Sequence, residues 1–158
     1  MQPDFAGRGI YLPELAGPRE ENLASLARLV ATYGDEFNRQ SATPELVREA
    51  YDNVRKAAQA IGRDPDEIVY SAMVGVLIAE TGDELDDRVH GLLTATGGGG
   101  NAKAWLAERR TRWILGTGEQ AWERVRALEA AGVQRIVLQD FLPRDLDMIR
   151  LAGRLFAA

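Results

Sequence analysis

The chain has 158 residues, enough for one domain with a real core, and its 46% hydrophobic and 27% charged residues are ordinary for a folded globular protein. A formal charge of −5 offers no general attraction to phosphate backbones or anionic membranes, which argues against nucleic-acid and membrane partners. The absence of cysteine excludes disulfides, thiolate metal sites and cysteine nucleophiles, and a single histidine excludes a histidine-rich metal site, so no metal is expected.

The first 19 residues carry Pro3, Gly7, Gly9, Pro13, Gly17 and Pro18 and read as a loop-like segment, in which only Ile10-Tyr11-Leu12 suits a short strand. The chain start lacks the charged-then-apolar pattern of a signal peptide, and no apolar run approaches the roughly 18 residues of a membrane span. A cytoplasmic protein is expected, with residues 20–158 as a single domain. From Glu20 to Tyr33, Leu23, Leu26, Ala27, Val30 and Ala31 keep helical spacing and define one buried stripe, which Gly34 ends. Thr43 before Pro44 marks a second helix start. Its apolar face runs through Val47, Tyr51, Val54, Ala58 and Ile61 to Gly62.

Arg63-Asp64-Pro65-Asp66 is a turn, and Ile68 to Ala79 then reads as a long strand. Ile68, Tyr70, Val74, Val76 and Ile78 take one face and Val69, Met73, Leu77 and Ala79 the other. A strand apolar on both faces is expected to be covered on both, as in a barrel or doubly wound sheet, with a sandwiched edge as the alternative. Thr81 and Glu84 form a capping box for a helix through Leu85, Val89, Leu92 and Leu93. Gly97 to Gly100 break that helix, and a further helix is expected from Asn101 to Trp113.

Gly116 to Gln139 then compresses a loop, a helix, a turn and a strand into the repeat of a β/α barrel. Thr117 and Gln120 make a second capping box, Ala121, Trp122, Val125, Leu128 and Ala131 recur at helical spacing, and Gly132 suits the left-handed position that ends a helix. Ile136-Val137-Leu138 follows as a short buried strand of a parallel sheet. A last helix from about Arg144 carries Leu146, Ile149, Leu155 and Phe156. At most three strands are expected, fewer than an eightfold barrel requires, and the chain is shorter than the roughly 200 to 250 residues of such a barrel.

Few residues carry an evident chemical signal. Gly97 to Gly100 before a helix present bare amides suited to a phosphate, yet they lack the lysine of a nucleotide loop and follow a helix, so a flexible connection is the preferred reading. His90 lies beside the apolar stripe of its helix with no partner at matching spacing, which favours a structural, partly exposed histidine over a base. Arg109, Arg110 and Arg112 with Trp105 and Trp113 suit an anionic or planar ligand; a solvated helix face with the tryptophans turned to the core is preferred. The acidic clusters Asp64, Asp66, Glu67 and Asp83, Glu84, Asp86, Asp87 sit at a turn and a helix start, where carboxylates favour the helix dipole. Neither has the glycine and terminal glutamate of a calcium loop.

Three stretches in order, ATYGDEFN from Ala31, TPELVREAYDNVRKAAQAIGRDPDEI from Thr43 and GTGEQAWERVRALEAAGVQRIVLQ from Gly116, resemble the C-terminal portion of luciferase-like monooxygenases, particularly the branch of oxidoreductases that uses a deazaflavin. The resemblance covers roughly Ala24 to the C-terminus. It implies a partial (β/α)8 barrel made of the late β/α units, and as cofactor FMN or the deazaflavin coenzyme F-420, held at the C-terminal ends of the strands for hydride transfer or oxygen activation. The early strands, which bring most catalytic groups in that family, have no counterpart here, so no catalytic residue is carried over. The family's phosphate-binding glycine pair is not recognisable. Ala16-Gly17-Pro18-Arg19 stands near its place, making Gly17 and Arg19 the candidate cofactor contacts, although Pro18 removes one donor amide. Three readings follow from the resemblance: a truncated oxidoreductase that is inactive or works through self-association or a partner completing the barrel; a non-catalytic interaction or dimerisation domain; or a fragment.

Overall fold

A single long strand organises the molecule. In the computed structural model, which describes residues 19–40, 43–95 and 101–156 and their side chains from Leu23 onward, the elements run α1 (Arg19–Tyr33), β1 (Glu36–Gln40), α2 (Pro44–Ala60), a 3-10 turn (Pro65–Glu67), β2 (Val69–Ala79), α3 (Gly82–Ala95), α4 (Ala102–Arg109), β3 (Ile114–Thr117), α5 (Gly118–Ala130), β4 (Arg135–Asp140) and α6 (Leu146–Phe156). Every strand pair is parallel and every pair includes β2. β1 runs beside its first half, from Glu36 opposite Val69 to Gln40 opposite Met73, and β3 beside its end, from Ile114 opposite Val76 to Thr117 opposite Ala79. β4 pairs from Arg135 opposite Ser71 to Asp140 opposite Val76. Ser71 to Met73 thus face both β1 and β4, and Val76 faces both β3 and β4. It follows that β1 and β3 succeed one another along one edge of β2 and that β4 holds the other. The C-terminal ends of β2, β3 and β4 come out at one rim, while β1 ends halfway along β2, and that rim positions the candidate site.

Side-chain alternation gives the two faces different tasks. On one, Phe37, Tyr70, Ala72, Val74, Val76 and Ile78 are buried in the main core. Tyr51 of α2 meets Phe37 edge-on at 5.9 Å and Tyr70 at 5.0 Å, and its hydroxyl donates to the Ser71 carbonyl at 2.7 Å. That bond fastens α2 to the sheet, and burial pushes the Tyr51 phenol well above its ordinary pKa. On the other face, Asn38 donates to the Ser71 hydroxyl at 2.8 Å, and the Trp113 indole lies over Gly75, where any Cβ would run into the ring. Gly75 is therefore needed for close approach.

The local signals read from the sequence act largely as expected. Thr43 accepts from the Leu46 amide, Gln120 accepts from the Thr117 amide at 3.0 Å, and Gly132 ends α5 at φ 95°. Thr81 caps α3 by accepting from the Glu84 amide at 3.2 Å, but the Glu84 carboxylate reaches back one residue further than a capping box requires, to the Glu80 amide at 2.9 Å. The β2 faces match their predicted alternation. Three expectations change. β1 and β3 are strands that apolar patterning does not reveal, giving four strands among the described residues where at most three were expected. The helix after Asn101 stops at Arg109, because Trp113 leads directly into β3. Ile61, expected on the apolar face of the second helix, lies just past the end of α2 and is 56% exposed. Ile10 to Leu12 and Gly97 to Gly100 lie outside the described residues. Among those described, no helix is long and apolar enough to cross a membrane.

Gly75→Ala should destabilise the protein by roughly 1–3 kcal/mol, the usual cost of overpacking against a rigid ring. Urea unfolding of Gly75→Ala and of the double variant with Trp113→Leu tests this. Shrinking the indole should recover part of the loss, and equal stability of both single and double variants would refute the contact.

Candidate functional cleft

At the rim, the end of β2, the first turns of α3 and the start of α6 are drawn together by one buried side chain. Arg88, 8% exposed, lies in the second turn of α3 and has carboxylates on two sides. Its Nε donates to Asp145 Oδ2 at 2.6 Å and its Nη2 to Asp145 Oδ1 at 3.3 Å, a forked arrangement. Nη1 donates to the Ile78 carbonyl at 3.0 Å and lies 2.7 Å from Glu84 Oε1. Asp145 also accepts from the Met148 amide at 2.9 Å, so the same carboxylate caps α6. The electrostatics follow. The Arg88 hydrogen bonds, outweighing burial, hold the Asp145 carboxyl below the ordinary aspartate range. For Arg88, burial opposes the charge, but the bond to Asp145 and the attraction of Asp145 and Glu84 overcome it and raise its pKa.

Between α3 and the segment that leaves β4 is a cleft of about 650 Å3. Arg88 and the small residues Gly91 and Ala95 line it from α3, and Phe141, Leu142 and Pro143 line it from the β4 side. Behind Phe141 stands an aromatic cluster. Trp113 stacks on Phe141 with ring centroids 4.9 Å apart and planes 8° from parallel, and Trp105 meets Trp113 edge-on at 5.3 Å. Arg109 closes the cluster, 4.3 Å above the Trp105 ring and 5.8 Å from that of Trp113. The volume and the largely apolar lining with a few charged groups are those of a small-molecule site.

The candidates read from the sequence mostly fall elsewhere. His90 is exposed, with Nδ1 2.7 Å from the Asp86 carbonyl one turn back, and it does not line the cleft. The tryptophans of the Arg109 group are half-buried, as preferred, but they pack on each other and on Phe141, and Arg109 serves that cluster while Arg110 and Arg112 are exposed. Asp64 caps the 3-10 turn by accepting from the Asp66 amide at 3.0 Å, and Glu67 pairs with Arg63. Of the second acidic cluster, only Glu84 and Asp87 reach the cleft. Among the described residues no group of three or more histidines and carboxylates could hold a metal. Gly17 lies outside the described residues, as does the side chain of Arg19. Arg88, Asp145 and Phe141 went unmarked in the sequence; their only signals were the Glu84–Arg88 spacing of four and an aspartate one residue before a helix.

The model of the luciferase-like monooxygenase family matches residues 24–135. Among solved structures, the fold is similar to that of an F-420-dependent secondary alcohol dehydrogenase in complex with an F-420–acetone adduct (TM-score 0.63, 15% identity, 85% of this chain and 46% of that one). It is similar also to a coenzyme F-420-dependent tetrahydromethanopterin reductase from Methanopyrus kandleri (TM-score 0.62, 16% identity, 84% and 47%). A monooxygenase from Streptomyces bottropensis gives a TM-score of 0.58 at 20% identity, with 88% and 45% covered. The chain spans less than half the length of each of these structures. At such identities the likeness is one of fold. No curated protein matches the chain.

Asp145→Asn keeps a cap acceptor but leaves the buried Arg88 with Glu84 alone, and should cost about 2–3 kcal/mol near neutral pH. Because the folded Asp145 pKa is depressed, its contribution is complete above the unfolded aspartate pKa and is lost as pH falls through the folded value. Thermal melts between about pH 6 and pH 2 should show a steeper acid loss for the natural protein than for Asp145→Asn. Parallel profiles would show that the pair contributes no pH-dependent stability.

Proposed function

This chain belongs to the luciferase-like monooxygenases, and on that footing we propose that it is a late-barrel module of a flavin- or deazaflavin-dependent oxidoreductase, with FMN or coenzyme F-420 as its cofactor. The observation that carries this reading is the gathering of the C-terminal ends of β2, β3 and β4 at one rim beside the cleft, the side of a parallel β/α fold on which sites are built. The fold's resemblance to F-420-dependent enzymes supports the cofactor class.

The charged groups at the cleft point to incomplete catalytic equipment. Arg88, Asp145 and Glu84 are engaged with one another and with backbone, leaving Asp87 and Arg144 at the mouth. The reading is therefore a module that holds a flavin-type ring and gains turnover when a second copy or a partner completes the barrel. Gly17 and Arg19 remain its candidate phosphate contacts. A second reading, a non-catalytic interaction or dimerisation domain, is favoured by apolar exposure at Val137 on the sheet (41%) and at Leu146 (55%) and Ile149 (46%) on α6. An uncovered β4 edge would invite the same pairing.

Titration of the protein with FMN and with coenzyme F-420, followed by the chromophore spectrum, should give a saturable shift with one of them. A flat response to both would eliminate the oxidoreductase reading. Sedimentation of the same samples should detect self-association if the dimerisation reading holds, and monomers at all concentrations would count against it.

A further inference from the structure

We infer that this protein binds a second copy of itself flank to flank, the outer edge of β1 and the exposed side of α1 in one copy lying against the outer edge of β4 and the groove beside it in the other. This pairing deepens the self-association part of the reading above and rests on that part alone. Among the described residues, β1 and β4 each pair only with β2, so both flanks of the sheet end in an open strand edge. Such edges offer unpaired amides and carbonyls to another strand.

Apolar surface matches across the two flanks. Ala24, Ala27 and Arg28 of α1 line a groove shared with α2, so helical spacing turns Leu29 and Tyr33 to the side away from α2, where they are 39% and 61% exposed. On the opposite flank, Trp122 of α5, Ile136 and Leu138 of β4 and Phe156 of α6 line a groove of about 380 Å3. Ile136 and Leu138 share the helix-covered face with Ala72 and Val74, the face on which α2 packs. Parallel pairing of β1 with the β4 of another copy therefore brings the α1 ridge to this groove.

Charge selects the same arrangement. β1 carries Glu36 at its start and Arg39 near its end, and β4 carries Arg135 at its start and Asp140 at its end. The registers with β2 put Glu36 and Arg135 on one face, where they meet at 2.6 Å within the chain, and Arg39 and Asp140 on the other. Set parallel, with Glu36 opposite the partner's Arg135, the two strands meet opposite charge at both ends, Arg39 standing diagonal to the partner's Asp140. Two β4 strands set antiparallel lose this match, because Arg135 and Asp140 point to opposite faces. A twofold axis repeats the contact on the remaining pair of flanks and closes the complex as a dimer.

Charge reversal distinguishes this contact from any other. Glu36→Arg and Arg135→Glu each place like charges at both contacts of a dimer, whereas an equimolar mixture of the two variants restores opposite charges at both. Sedimentation equilibrium of the full chain should show a dimer for the natural protein, a dissociation constant raised roughly tenfold or more in each variant alone, and recovery on mixing. Melting temperatures should barely move, since the Glu36–Arg135 pair is solvent-accessible and contributes little to the fold. Leu29→Glu, at an exposed position and without loss of a good helix former, should weaken the dimer by a similar factor. Monomers at every concentration overturn the inference and leave the flanks to a different partner. Dimers indifferent to charge reversal, or variants that stay apart when mixed, overturn it too, although dimers through another surface keep the dimerisation reading. The coenzyme titration is read independently: a flat response beside recovery on mixing removes the oxidoreductase reading and keeps the contact, and coenzyme binding by a strict monomer does the reverse.

Discussion

The shape of the rim depends on the burial of the Arg88 guanidinium. Taking a charge out of water costs several kcal/mol, and only good geometry with nearly all donors satisfied offsets it. Here a forked pair to Asp145, a bond to the Ile78 carbonyl and the proximity of Glu84 meet that condition. Each partner belongs to a different piece of structure. Ile78 is near the end of β2, Glu84 sits in the first turn of α3 and closes back on the Glu80 amide, and Asp145 starts α6. One side chain thereby fixes where three elements meet, and the cleft is the space left beside that junction.

The sheet and the aromatic cluster form the other half of the same design. β2 is the strand to which all others attach, so helix packing on it is transmitted to the whole sheet. Tyr51 anchors α2 on one face by two ring contacts and a hydrogen bond to Ser71. On the opposite face, the missing side chain of Gly75 admits Trp113, and Trp113 in turn sets the orientation of Phe141. The cleft therefore has an electrostatic wall set by Arg88 and an aromatic wall set by Gly75. Neither wall would keep its form if the other element moved, because both hang from the C-terminal half of β2.

Membership of the luciferase-like monooxygenases accounts for the parallel strands and the helices that connect them. It does not account for the details of the cleft, since the similarity to solved structures lies at 15–20% identity for the three compared and covers under half of their length. The residues that shape the cleft stand in the late β/α units, within and just beyond the matched 24–135 region. The rim thus has a common architecture and individual chemistry.

Much of the fold was legible where local physics is decisive. The caps at Thr43 and Thr117, the stop at Gly132, the helical stripes of α2 and α5 and the two-faced apolar run of β2 are each set by a few neighbouring residues. β1 was not legible, because EFNRQ has one buried apolar residue, Phe37, and is held extended by pairing with β2. β3 was hidden for a related reason: ILGT is four residues long and follows a helical run, so its state is decided by the end of β2. The site was the least legible of all. Glu84 and Arg88 four residues apart read as a surface helix pair, and only the return of α6, 57 residues later, buries the arginine and gives it Asp145. The sequence by itself determined the capped helices α2 and α5, the stop at Gly132 and the two-faced strand β2, through short-range capping, turn and periodicity signals. The tertiary structure alone decided the cleft, because its walls are made by contacts between residues far apart in the chain, whose burial and pairing no local pattern encodes.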